Sequence, residues 1–415
     1  MISNKQKQIL AFRFTTYDAL ICDGSIRSGK TSFMAIAFID DGMERFNGQR
    51  FGICGKTIGS AIKNVIEPLI KMRYINDKYS IRWRLNDKEL IVRRGNTENI
   101  FEVFGGKDER SYTLIQGRTL AGVLLDEVAL QPRSFVEQAL ARCSVDGSKL
   151  WFNCNPDSPN HWFYKEWVLQ PKKHNAYHIH FELDDNPSLS QEIKDRYRSM
   201  YSGVFYRRYI NGEWCQAEGL IYQLFADNES EYMIDEKDVP KLSYIEVGAD
   251  VGGNKSNHAY CITGYTARRD EVYVLASLSY KATGTSVTDY RRRLTTFVDR
   301  IKDKYGFIDT IWVDNAEQAI LNELDANMSY NVRGSIKDEI INRIRCTDIL
   351  LSQHRLHIVK GENDDLCDGL RTAVWDEKHD NVPLDDGTYN RDIIDAFDYS
   401  FTPHIKALVR GEINE

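Results

Sequence analysis

Long hydrophobic runs are missing from this chain. Nowhere in its 415 residues do apolar side chains approach the ~18 in succession that a membrane-spanning helix needs. The opening residues, MISNKQKQIL, show no apolar core followed by a small-residue cleavage site, so no secretory leader is expected and the protein should stay in the cytoplasm. Paired cysteines are missing too. The eight cysteines never fall in a C-x-x-C pair, which leaves a zinc centre without support; scattered thiols in a cytosolic chain are mostly small buried groups. An excess of positive charge is also absent: 54 Lys and Arg stand against 61 Asp and Glu, a net charge of −7. A polyanion would have to be held by local basic surface or by other subunits. There is no internal repeat and no low-complexity stretch. What remains is an ordinary globular balance, 42% hydrophobic and 28% charged, with length for two or three domains of roughly 100–200 residues.

The N-terminal half carries a phosphate-binding loop, Gly24-Ser25-Ile26-Arg27-Ser28-Gly29-Lys30-Thr31. The apolar run Ala19–Cys22 precedes it, and SFMAIAFIDDGMERF follows at helical spacing. Strand, loop and helix are the setting such a loop requires. Gly24 and Gly29 let backbone N–H groups turn toward a polyphosphate, and the helix N-terminus adds its positive end. Lys30 is expected to neutralise the β- and γ-phosphates of ATP, and the Thr31 hydroxyl to ligate Mg²⁺. A second buried strand, Ala121–Glu127 (AGVLLDE), supplies Asp126 for Mg²⁺ and Glu127 to polarise the attacking water. A third, Lys149–Cys154, leads to Asn155, placed to sense the γ-phosphate. Phe104-Gly105-Gly106 and Ile115–Thr119 read as tight turns on a sheet edge. Gln8 lies where a glutamine could read the adenine edge.

The C-terminal half changes character near residue 240, and the polar stretch Glu229–Pro240 reads as the domain boundary. IEVGAD ends in Asp250 and DTIWVD in Asp314. Strands are expected at Ala259–Tyr265 and Glu271–Leu278, and helices at Val287–Tyr305 and Arg391–Tyr399. On the last, Asp392 and Asp395 are three apart and share a face. Strands and a late helix carrying carboxylates at these places resemble an RNase H-like fold with a mixed sheet. Clustered carboxylates suit phosphodiester hydrolysis, because they hold two divalent ions ~3.5–4 Å apart, and hard oxygen donors select Mg²⁺ or Mn²⁺. Basic segments that could meet DNA phosphates are Arg196–Arg198, Arg207-Arg208, Arg291–Arg293 and Arg343–Arg345.

The order of these motifs resembles the large terminase subunit of tailed bacteriophages, in particular its PBSX-type branch. The matching strings are Lys7-Gln8, GSIRSGKT, IQGRTLAGVLLDEV and WFNCNPDSPNHWFYKEW. The resemblance implies a P-loop ATPase domain with a mostly parallel sheet at 1–165, a linker subdomain at 166–228 and an RNase H-like nuclease domain at 229–415. It implies ATP-driven translocation of double-stranded DNA into a procapsid and metal-dependent cutting of concatemeric DNA. Arg27 matches a candidate sensor of hydrolysis, and Asn155 falls in the coupling motif. Asp250, in G-x-D-x-G, matches the first metal-binding aspartate, Asp314 the second, and Asp395, in D-A-x-x-Y, the third. Asp392 stands where many relatives show histidine, which leaves open whether Asp392 or Asp395 completes the metal site. Lys337 sits where relatives often have a lysine near the nuclease site. Implied partners are DNA, a small terminase subunit, the portal of a procapsid and further copies of the chain in a ring; the implied location is the host cytoplasm, not the mature virion. Two other readings are a P-loop small-molecule kinase, which leaves the late carboxylates without purpose, and a DNA translocase whose nuclease-like domain only clamps.

Overall fold

The computed structural model describes residues 2–253, 256–315 and 318–409. It forms two compact units: Met1–Arg198 with Val204–Gln216, and Ser199–Gly203 with Ala217–Glu415. The polar stretch 229–240, expected to be a boundary, lies inside the second unit. There Gln223–Tyr232 is helical, burying Phe225 and Tyr232, and Met233–Ile234 pairs as a strand. Its polar residues mark an exposed face, not a linker. No helix among the described residues is long and apolar enough to cross a membrane.

The first unit is built on an eight-stranded sheet of β1 (Ala19–Gly24), β2 (Arg50–Gly55), β3 (Ser80–Arg84), β4 (Glu89–Arg94), β5 (Thr97–Gly105), β6 (Gly122–Asp126), β7 (Lys149–Asn153) and β8 (Ala176–Phe181). Their order is β3-β4-β5-β2-β6-β7-β1-β8. The six strands from β5 to β8 run parallel, and β3 and β4 add an antiparallel edge. Strands such as β1 and β6 are apolar on both faces because both faces are covered; every residue of each is buried. Helix α1 (Asn4–Ala11) is opened by a Ser3–Gln6 capping box, and α2 (Lys30–Arg45) starts at Gly29. Phe104-Gly105 is not an edge turn: it is the buried end of β5, between β4 and β2. A side chain on Gly105 would strike the Ile58 nitrogen at 2.5 Å, so that glycine serves close packing.

The second unit contains β9 (Met233–Ile234), β10 (Tyr244–Asp250), β11 (Asn257–Tyr265), β12 (Val272–Lys281), β13 (Thr310–Val313), β14 (Val332–Gly334) and β15 (Leu356–Val359). Their order is β14-β13-β10-β11-β12-β15-β9, mixed in direction. Helix α3 (Val287–Tyr305) begins at a Ser286 cap and ends at Gly306 in the left-handed region, φ 91°. Its Tyr290, Leu294, Phe297 and Ile301 form one core with Val247 and Ala249 of β10. Side chains alternate across a strand, so Gly248 and Asp250 face the other way. That face receives α5 (Arg391–Phe401), which follows α4 (Ile340–Ser352) in the late part of the chain. A Cβ on Gly248 would lie 1.9 Å from the Ala396 carbonyl oxygen. The missing side chain lets α5 seat against β10 and brings Asp395 toward Asp250.

Gly248→Ala should therefore destabilise the fold by about 2 kcal/mol or more, as overpacking against backbone does. Gly253→Ala, where a Cβ meets nothing within 4 Å, should be close to neutral. Urea denaturation of both variants checks the pair.

Candidate functional sites

The strand ends of the first unit gather a polar cluster around the phosphate loop. Gly24, with φ 120°, and Gly29, with φ 86°, take conformations that other residues rarely adopt. A Cβ on Gly24 would collide with the Phe181 carbonyl of β8. Lys30 is almost fully buried, and its Nζ donates to the Gly24 carbonyl (3.0 Å), the Ser25 carbonyl (2.6 Å), Ser28 Oγ (3.3 Å) and Asn155 Oδ1 (3.1 Å). These acceptors hold an ammonium that burial pushes down to about 8; nearby Cys154, Asp23, Cys22 and Asp126 pull the other way. The Ser25 hydroxyl donates to the Tyr209 carbonyl (2.9 Å) and Ile26 N–H to the same oxygen (2.9 Å), so the loop rests on the segment 206–216.

Asp126 ends β6 beside Thr31. Burial raises its carboxyl, opposed by hydrogen bonds from Asn153, Asn64 and Thr31. Asn153 is the residue the sequence reading passed over. It pairs in register with Asp126, and its Nδ2 donates to Asp126 Oδ1 (2.6 Å) and Thr31 Oγ1 (2.7 Å). It joins the two groups expected to hold Mg²⁺, while Asn155, two residues on, meets Lys30 instead. Asn153 ends a strand with little alternation in burial, and its pairing with Asp126 is a matter of register that one sequence does not show. Glu127 takes a left-handed conformation, φ 56° and ψ 45°, which costs a non-glycine residue about 1–2 kcal/mol and aims it differently from the strand before it. Arg27 is also left-handed, φ 54°; its guanidinium lies 5.7 Å from the Tyr197 ring centroid. Gln8 needs correction, because it is exposed on α1. Gln6 is the glutamine at the loop: it is buried, and its Nε2 donates to the Ser28 carbonyl at 3.5 Å. Helical periodicity places these two on different faces, and the capping box identifies the inward one.

The second cluster lies at the carboxyl ends of β10 and β13. Ala249 pairs with Val313, so Asp250 and Asp314 follow on neighbouring strands, and Asp314 N–H donates to the Ala249 carbonyl (3.2 Å). Asp250 is buried, and its carboxyl is pushed well above the usual range first by burial and then by Asp395, Asp392 and Asp314. Asp392 accepts the Asn257 backbone N–H at 2.6 Å. Asp395 accepts from Arg343 at 3.1 Å and pairs with Arg391 at 3.5 Å, and Lys337 Nζ stands 3.2 Å from Asp314. Among the described residues no three acidic, histidine or cysteine side chains are already drawn to ligating distance of one point. The carboxylates repel at longer range, and a divalent cation is what all-oxygen donors of one sign would accept. One arginine in each of two basic segments is committed inside the protein. Arg208 is buried on the Cys215 carbonyl and Asp157, and Arg343 is buried against aspartates.

Over 97% of its length the chain is 34% identical to the large terminase of a thermophilic bacteriophage. It covers 99% of that chain, with a TM-score of 0.84. The chain belongs to the large terminase subunits of bacteriophages. The same thermophilic-phage terminase in complex with ADP matches at 34% identity, 97% and 99% coverage and a TM-score of 0.83. Its complex with ATP-γ-S matches at 33% identity, 97% and 100% coverage and a TM-score of 0.81. Residues 21–227 match the family model for the N-terminal part of the terminase large subunit, T4likevirus-type. No curated protein matches. As a large terminase subunit, the chain is a DNA-packaging enzyme.

Lys30 loses its charge as pH rises through about 8. Nucleotide affinity of this terminase should therefore weaken by roughly tenfold between pH 7 and pH 9, the fall in the ammonium fraction of a group titrating at 8. Titration with a fluorescent ADP analogue across that range checks it; a flat profile contradicts it.

Proposed function

We propose that the first unit hydrolyses ATP to move double-stranded DNA into a procapsid, and that the second cuts concatemeric DNA at its carboxylate cluster. The observation that carries this reading is that one chain holds a buried lysine socket at one set of strand ends and a buried carboxylate cluster at another. In the first unit, Lys30 leaves the carbonyls of its own loop for the β- and γ-phosphates, which offer it stronger, charge-assisted hydrogen bonds. The phosphates lie along the loop residues Gly24, Ser25, Arg27, Ser28 and Gly29. Thr31 and Asp126, joined by Asn153, would hold the Mg²⁺ that accompanies the nucleotide, and Glu127 would orient the attacking water. Nucleotide binding is supported by the complexes of the thermophilic-phage terminase with ADP and ATP-γ-S. Asn155 links Lys30 to the segment after β7, a route by which loss of the γ-phosphate reaches the DNA-gripping surface, with Arg27 as a sensor of that loss.

In the second unit, Asp250, Asp314 and Asp395 would hold Mg²⁺ or Mn²⁺. Asp395 is taken as the third ligand, because it is more deeply buried than Asp392 and lies next to Ala396, which packs on Gly248 of the strand that carries Asp250. Divalent ions bound there supply a hydroxide and stabilise the leaving oxygen. Asp250, between the other carboxylates, would share in holding the ions with Asp314 and Asp395, and Lys337 beside Asp314 would meet the phosphate. The working assembly is a ring of this chain on the portal of a procapsid, with a small terminase subunit, in the host cytoplasm and outside the mature virion.

Lys30→Ala should abolish ATPase activity while the full-length chain still nicks plasmid DNA with Mn²⁺. Asp250→Asn should lower that nicking by roughly 100-fold or more and leave ATP hydrolysis in place. Undiminished nicking by a folded Asp250→Asn chain would assign the second unit to clamping instead of cutting.

A further inference from the structure

Arg343 stands out once its partners are traced. The residue projects from α4 and is one-eighth exposed at 12%. Its terminal NH1 lies 3.1 Å from Asp395 Oδ1 and 3.1 Å from Asp398 Oδ2. The two aspartates are one turn apart on α5 and share a face. They differ in setting. Asp395 lines the carboxylate cluster, whereas Asp398 is only 2% exposed in its side chain and touches neither Asp250 nor Asp314 in any hydrogen bond or ion pair. The pocket they line has apolar walls from Ile221, Ile340, Ile344 and Ile394 on one part and Arg391 with Tyr389 on another. A buried arginine is held most firmly where a planar guanidinium meets carboxylates. Burial pushes the Asp398 carboxyl up to about 7, and Arg343 is the first group that pulls it back down.

We propose that Asp398 and Arg343 are a positioning pair for the nuclease: Asp398 fixes Arg343, and Arg343 fixes the carboxylate of Asp395 for metal binding. The inference rests on the metal reading of the second unit given above. One oxygen of Asp395 is committed to the guanidinium, which sets the rotation of the carboxylate and leaves Oδ2, with only the more distant Arg391 beside it at 3.5 Å, for a cation. Asp398 keeps Arg343 in place whether or not a cation arrives, so the arginine is an anchor and not a plug that the metal displaces. Neither residue touches the reacting atoms. Outer partners of this kind typically change metal affinity by about 10–100-fold when removed.

The proposal makes a prediction of sign that simple charge counting reverses. Arg343→Met removes a positive charge from an acidic cluster; if charge alone mattered, Mn²⁺ would bind more tightly. Positioning requires the opposite. The probe is Mn²⁺ titrated into the full chain without nucleotide and followed by the electron paramagnetic resonance signal of the free ion, with Asp250→Asn defining the binding that belongs to this cluster. Arg343→Met, Arg343→Lys and Asp398→Asn should each weaken that binding by about tenfold or more, and Arg343→Met with Asp398→Asn together should be no worse than Arg343→Met alone, because the two act as one unit. Arg343→Lys keeps the charge and Asp398→Asn keeps the volume, so both carry the test if Arg343→Met fails to fold. Unaltered affinity in either of these, or tighter binding in a folded Arg343→Met, overturns the proposal. Absence of any Asp250-dependent Mn²⁺ binding in the unsubstituted chain overturns the metal reading and this proposal with it.

Discussion

A charge buried without its counter-charge is the constraint on which both units turn. Lys30 is 5% exposed and Asp250 is 8% exposed; Lys30 opens the helix that follows the phosphate loop, and Asp250 ends a buried strand. Taking an ion out of water costs several kcal/mol unless partners replace the lost hydration. For Lys30 the partners are carbonyls of its own loop and Asn155, a provisional set that a polyphosphate can replace. For Asp250 the nearest groups are other carboxylates, which raise the cost. One unit therefore stores a demand for anions and the other a demand for cations, and the chemistry of ATP and of metal-assisted DNA cutting follows from those opposite demands.

Backbone packing is what concentrates each charge. Six parallel strands bring their carboxyl ends to one edge, so Asp126 and Asn153 end in register beside the loop that follows β1. In the second unit, β10 and β13 place Asp250 and Asp314 side by side, and the bare Gly248 admits α5 with Asp395. The candidate site side chains thus project from the rigid ends of core elements, which holds their geometry more tightly than loops would. The left-handed Glu127 and Arg27 show where the chain accepts local strain to redirect a side chain.

Much of this was legible in the amino-acid order. The phosphate loop, AGVLLDE and the helix Val287–Tyr305 announce themselves through glycine placement, apolar runs and a 3.6-residue period. Family resemblance supplied the terminase assignment that composition withheld. The misses have physical causes. Gln8 was taken for Gln6 because a motif string does not say which helical face turns inward, although the Ser3 capping box does. Asn153 was overlooked for Asn155 because register between parallel strands is invisible in one sequence. Arg343 looked like a DNA contact because a cluster of arginines reads as surface until a distant helix supplies two buried aspartates. The boundary near 229–240 was misplaced because polar composition marks exposure and not separation.

The most direct measurement is a crystal structure of the full chain grown with Mn²⁺ and ATP-γ-S, read by anomalous scattering. The account predicts manganese bridged by Asp250 with Asp314 and Asp395 beside it, and Lys30 swung from the Gly24 and Ser25 carbonyls onto the phosphates. Manganese absent from the Asp250 cluster, with Lys30 still on its own loop while nucleotide is bound, would contradict it.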